Sequence, residues 1–481
     1  MTEPTPATVC CTFTEDTRRP LRNPGMGWLI YIDQDGSTLT PGHPGRYLDA
    51  ATWWREMDAA AAQASILYVR LPWIEFEPVE GRYAWEHNAN FRAMLEGARE
   101  RGLTLAFRVY VDCSDCQLQA TPLWVREAGA RGKLQVENPG DGGPKWNPFL
   151  EDPVFRVKFE QFVAAFAREF DDPARVTFID AEGLGRWGEM HTFHLEDPGR
   201  YVELGRDCIR WIVRTYRRHF RRVLLGHQFQ NWSLGKDIDD EILGVCGYLA
   251  RRDGLASPVW FKQEEKDRLK SYWPRTPVFA ENCYWHTVSN EKWWRGDGFS
   301  SRRELFEALL RDAEEIHANT LDLRIFEDAN AWVTECPDLV TRFQLRGGYR
   351  LSPVTVSVPR QMVGGQPALI RHAWRNTGWG RLPGDLPAWR GRFAVAFALL
   401  GATDDEPVCI VLSAAGPSGW LRGQDAVYEE AFAFPAVSSG AYRLALAIVD
   451  TTQALRPAIE LAVTQERTAA GWCSLAAVDV V

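Results

Sequence analysis

At 481 residues, with 45% of them hydrophobic, the chain reads as a globular protein too long for one ordinary core, so two domains are expected. A net charge of −9, from 55 basic and 64 acidic residues, argues against nucleic acid or an anionic membrane as partner. No run approaches the roughly 18 apolar residues of a membrane span. The opening MTEPTPATVCCTFTEDTRRP lacks the basic start and apolar core of a signal peptide, so a cytoplasmic location is expected.

Candidate strands then follow in chain order: MGWLIYID (26–33), SILYVRLPW (65–73), LTLAFRVYV (103–111), RVTFIDAEG (175–183), RVLLGHQ (222–228), GVCGYLARRD (244–253), PVFAENCYW (277–285) and LDLRIFEDAN (321–330). Amphipathic stretches separate most of them, such as PVFRVKFEQFVAAFAREF after Asp152, with apolar residues recurring at three and four. Eight strands alternating with helices predict an α/β (β/α)8 TIM barrel over residues 1–348. From Tyr349 the pattern changes to short alternating strands, among them SPVTVSVP, GRFAVAFALLG and AYRLALAIVD, split by Gly, Pro and Asn-rich turns. That predicts an antiparallel, Ig-like β-sandwich over residues 349–481.

Ten cysteines at irregular spacings make no disulfide framework, and Cys113 and Cys116 form a lone CSDC without a second pair, so no zinc is expected. The 21 tryptophans are compatible with stacking on sugar faces or with core packing.

Barrel enzymes build their sites at the C-terminal strand ends, and these strands become polar there. Arg70 and Trp73 end the second, and Arg108, Tyr110 and Asp112 the third. Asp180, Glu182 and Glu189 follow the fourth, His227 and Gln228 end the fifth, and Arg251, Arg252 and Asp253 the sixth. Glu281, Asn282 and Trp285 belong to the seventh; Glu327, Asp328, Asn330 and Trp332 to the eighth. One such residue is ordinarily a solvated end or a buried ion pair, but so many converging groups predict a functional rim. Retaining glycoside hydrolysis needs two facing carboxyl groups about 5–5.5 Å apart, and strands four and seven oppose each other across a barrel mouth. Glu281 is therefore the candidate nucleophile, with a salt bridge to Arg70 or Arg108 as the structural alternative.

In FIDAEGLGRWGEMHTFH (178–194), strand alternation places Asp180 and Glu182 on one face, looking into the mouth. Glu189 lies beyond Gly183, Gly185 and Gly188, which let the chain turn back over that mouth. Glu189, His191 and His194 also offer a metal-ligand reading, although the spacing is not that of a metalloprotease helix. No metal or other cofactor is expected.

RLPWIEFEPVEGRYAWE (70–86) resembles the second-strand segment of clan-A retaining glycoside hydrolases, the β-galactosidase-like branch in particular. NPGMGW (23–28) and GRWGEMH (185–191) resemble a group of bacterial proteins with a glycosidase-like barrel followed by a sandwich. The resemblance implies a glycosidase with nucleophile Glu281 and acid/base Glu189, although Gly188 stands where the clan usually has Asn. Glu182 is the other candidate acid/base. Arg70, Asn282 and His227 would then orient the sugar, and Trp73, Trp187, Trp285 and Trp332 would stack on it. Arg108, Asp180, His191 and Asp328 complete the expected substrate contacts. The expected partner is a carbohydrate, acted on as a short glycoside or from a chain end; a homo-oligomer is compatible with the sequence. The alternatives are a barrel that binds sugar without turnover, and a metal-dependent hydrolase.

Overall fold

The computed structural model describes residues 8–32, 37–112, 118–135, 143–229, 234–401, 405–435 and 437–481; Cys113 and Cys116 lie outside them. The chain forms two compact units, one spanning Gly27–Val340 with Leu386–Ala388, the other the remainder.

The first unit is a closed barrel of eight parallel strands. They are β1 (Gly27–Ile32), β2 (Ala64–Pro72), β3 (Thr104–Tyr110), β4 (Val176–Asp180), β5 (Leu224–Gln228), β6 (Leu249–Leu255), β7 (Val278–Asn282) and β8 (Ala318–Leu323). Each pairs in parallel with its sequence neighbours, and β8 closes on β1 through Thr320–Gly27 to Leu323–Ile30. The strands read as near-continuous apolar runs because both faces are covered, as in β1, where all six residues are buried.

The helix Pro153–Phe170 shows how the outer layer is specified. Asp152 caps it, its Oδ1 accepting from the amides of Val154 (2.9 Å) and Phe155 (3.0 Å), and Pro153 opens the first turn. Phe155, Phe159, Phe162, Phe166 and Phe170 recur at three and four and are all buried. Among the described residues no helix is long and apolar enough to cross a membrane.

Two strand expectations are corrected. The sixth strand begins at Leu249, because Asp240–Cys246 forms a π-helical turn that Gly247 ends at φ 71°. The eighth ends at Leu323; Ile325 turns the chain at φ 61° and a helix runs Phe326–Glu335. Glu327, Asp328, Asn330 and Trp332 are therefore helical. An apolar strand passing straight into an amphipathic helix offers no break for alternation to detect.

The second unit is two antiparallel-based sheets. One has four strands, Thr8–Thr12, Leu351–Pro359, Pro367–Asn376 and Asp425–Ala433. The other has six and is centred on Phe393–Leu400 and Gly440–Asp450. Their inner faces meet at Phe397, whose ring lies 5.3 Å from His372 and 5.1 Å from Phe432. The expected division at residue 348 does not describe the N-terminal segment, which joins this unit up to Met26. Thr8–Thr12 pairs antiparallel with Leu351–Pro359, and Asn23 exchanges hydrogen bonds with the Glu460 backbone at 2.7 and 3.0 Å.

Candidate active site

Arginine and carboxylate side chains from six barrel strands, and the segments just beyond them, fill the C-terminal end of the barrel. Arg108 of β3 is fully buried and holds three acids at once: Asp180 at 2.8 Å, Glu281 at 2.9 Å and Glu189 at 3.2 Å. Arg251 of β6 binds Asp180 (3.0 Å) and Glu281. Arg324, just past β8, donates to Glu281 Oε2 at 2.5 Å, and Arg70 of β2 reaches Glu189 at 3.1 Å. Tyr68 donates to Asp180. Charges this deep persist only because each is paired.

The pairing sets the protonation states. Burial pushes the Glu281 carboxyl up, but Arg251, Arg108, Arg324 and Arg70 outweigh it and hold the group far below the usual range. Burial also opposes ionisation of Glu189, yet Arg70, His191 and Arg108 bring it down to about 2. Asp322 behaves differently: burial raises it to about 6 despite Arg324. It accepts from the backbone and side chain of Asn282, at 2.8 and 2.9 Å, and so fixes that residue at the end of β7.

Glu189 reaches this cluster from a loop that only glycine permits. Gly183 has φ 73°, and a Cβ there would lie 1.9 Å from the Val109 carbonyl. Gly188 has φ 72°, with a Cβ position 2.9 Å from the Tyr110 Cβ. Trp187 N donates to Asp112 O at 3.0 Å, tying the returning loop to the segment after β3.

Above the cluster opens a cavity of about 720 Å³. Arg70, Trp187, Glu189, His191, Asn282 and Trp285 line it, all of them expected site residues. His191 stands 3.4 Å from Glu189 and edge-on to Trp187. Arg108, Asp180 and Glu281 lie beneath and are not among the lining residues; Arg108 bonds the lining residue Glu189, and Glu281 bonds the lining residue Arg324.

Other expected residues sit elsewhere. Trp73 is fully buried, its ring 5.1 Å from Phe159 and its Nε1 donating to Glu77 at 3.0 Å. Trp332 stacks 3.8 Å from Phe306. Both are core, since their strand-end or helical positions point at neighbouring helices. Asp328 caps the loop after β7, accepting from Thr287 N at 2.8 Å and Oγ1 at 2.7 Å. Glu182 turns from the cavity to bind His227 and the Gln228 amide (3.0 Å). His227 also bonds Asp239 at 2.7 Å, and although burial opposes its charge, Glu182 and Asp239 raise it to about 10. It is a buried imidazolium clamped between two acids. His194 lies 2.8 Å from Asp112, and among the described residues Glu189, His191 and His194, the three residues of the alternative metal reading, do not form a metal-holding cluster.

Sequence reasoning left out Arg324, Trp260 and Trp293, which also line the cavity, as does Asp253, named there only as an end of the sixth strand. Arg324 and Asp253 were visible as polar strand ends. Trp260 and Trp293 lie in loops whose course no periodicity reveals.

No family model matches the chain, and no curated protein matches it. Among solved structures, a psychrophilic family 10 endo-β-1,4-xylanase aligns with TM-score 0.37 and 10% identity, over 62% of this chain and 85% of that one. The catalytic domain of a β-amylase from Paenibacillus polymyxa aligns with TM-score 0.40 and 9% identity, over 62% and 93%. Endo-glycoceramidase II from Rhodococcus sp. gives TM-score 0.40 and 12% identity, over 87% and 100%. At these values the chemistry has to be argued from the residues of the chain itself.

Proposed function

We propose that the protein is a glycoside hydrolase acting with retention on short glycosides or chain ends. One observation carries this reading: Glu189, beyond β4, and Glu281, on β7, bond to the two terminal nitrogens of one guanidinium, that of Arg108. Both carboxyl groups thus meet at one guanidinium, and double displacement calls for two carboxyl groups roughly 5–5.5 Å apart. Glu281 is kept ionised by its arginines and is the attacking group. Its Oε1 accepts from Arg108 and Arg251, while Oε2 accepts from Arg324, which faces the cavity. Attack therefore uses Oε2, once Arg324 turns to the substrate. Glu189 lies across from it in the acid/base position, and Trp187, Trp285 and Trp293 supply apolar faces for a sugar ring.

Proton NMR of the first product formed tests the stereochemistry. Release of the same anomer as the substrate supports double displacement, and the opposite anomer refutes it.

The second reading, a barrel that binds sugar without turnover, draws on the ionised state of Glu189 at rest. An acid must hold a proton before it can give one.

A further inference from the structure

The chain carries a net charge of −9, yet the cavity wall is cationic. Arg70, Arg186, Arg252, Lys262 and Arg324 line it, against the three acids Glu189, Asp253 and Glu265. Those acids are taken up by two of the arginines: Glu189 holds Arg70 at 3.1 Å, and Asp253 and Glu265 share Arg252 at 2.5 and 2.7 Å. The wall therefore keeps an excess of positive charge. Arg70 uses Nη2 for both Glu189 and the Trp187 carbonyl, and its buried Nε has no hydrogen-bond partner among the described residues.

Arg324 is the lining cation that touches the nucleophile. It donates to Glu281 Oε2 at 2.5 Å and lies 3.2 Å from Asp322, while Arg108 and Arg251 both hold Oε1. Attack through Oε2 requires Arg324 to let go. A guanidinium only 5% exposed is stable away from a carboxylate only if another negative charge receives it. A sugar hydroxyl offers a dipole; a carboxylate or sulfate offers a charge and oxygens that match the guanidinium fork. Glu281 stays paired throughout, because Arg108 and Arg251 remain on its other oxygen.

We propose, resting on the glycosidase reading, that the substrate is a glycoside carrying an oxyanion, a carboxylate or a sulfate, on the exocyclic carbon of its sugar, and that this group takes Arg324 from Glu281 as it binds. The remaining wall cations supply the field that draws an anion into the cavity. Binding an anionic sugar thus uncovers the attacking oxygen, whereas a neutral sugar leaves it covered.

The test is a matched panel: 4-nitrophenyl β-D-glucoside and β-D-galactoside, each beside its uronide and its 6-sulfate. The wild type is expected to show kcat/KM about 100-fold or more higher on an anionic member than on its neutral parent. A faster uronide identifies the carboxylate as the group, and a faster 6-sulfate identifies the sulfate. In Arg324→Met that preference is expected to fall by about 100-fold, through loss on the anionic member without loss on the parent. A purely structural role would lower both alike and leave the preference standing, which overturns the inference. Neutral parents cleaved as fast as their anionic forms by the wild type also overturn it, while the glycosidase reading survives. Failure of the wild type to cleave any member overturns both. Should Arg324→Met not fold, inhibition of the wild type by the free sugars decides. Uronate or sugar 6-sulfate acting at about 100-fold lower concentration than the neutral sugar supports the inference, and equal inhibition overturns it.

Discussion

Arg108 donates from Nη2 to Glu281 Oε1 at 2.9 Å, with both side chains almost wholly removed from water. The bond joins β3 to β7 across the barrel interior, and the same guanidinium holds Asp180 and Glu189. Its removal takes one cationic partner from each of three buried carboxylates.

Arg108→Met is accordingly expected to destabilise the barrel by about 3–5 kcal/mol, the range for breaking a buried pair. It should also alter the acid side of the stability curve. Glu189, whose carboxyl is depressed to about 2, contributes stability that is present above its unfolded value and lost as pH falls towards 2. Without Arg108 that component shrinks. Urea unfolding at several pH values between 3 and 7 measures both effects.

The His227 clamp predicts the opposite limb. Its folded value is raised to about 10 from an unfolded value near 6.5, so its stabilisation is full below 6.5 and is lost as pH rises through 10. Wild-type melting temperature should decline between pH 7 and 10, and His227→Gln should melt lower at pH 6 with a flatter profile. Differential scanning calorimetry across that window decides it.

Gly183→Ala is expected to harm activity more than folding. The Cβ has nowhere to go beside Val109 O, so the loop carrying Glu189 must shift. A displacement near 1 Å at a catalytic group costs about 100-fold in rate. A steady-state assay beside a thermal melt separates the two effects.

Two tryptophans should behave differently. Trp73→Ala leaves a hole among Phe155, Phe159 and Phe162 and should cost about 3–5 kcal/mol of stability. Trp187→Ala, on the cavity wall, should raise KM and leave the melting temperature nearly unchanged.

Periodicity was sufficient to read the barrel and the sandwich, because strands buried on both faces and strands buried on one leave different apolar patterns. The polar strand ends also pointed to Arg70, Arg108, Asp180, Glu189, Asn282 and Glu281 as one assembly. Alternation could not say which way Glu182 turns, since His227, 45 residues later, competes for it. Nor could it separate Trp73 from Trp187; both follow strands, but only one meets a helix lined with phenylalanine. The EPVEG turn resembling a glycosidase motif proves to be local scaffolding. Glu77 accepts from Gly81 N at 2.8 Å and from Trp73, and burial raises it to about 7.

The most direct measurement is hydrolysis of a panel of aryl β-glycosides and α-L-arabinosides by the wild type and Glu281→Gln. Turnover of at least one member that disappears in Glu281→Gln, with the variant still folded by circular dichroism, is the predicted result. Turnover that survives the substitution would contradict the assignment of Glu281 as nucleophile and, with it, the proposed mechanism.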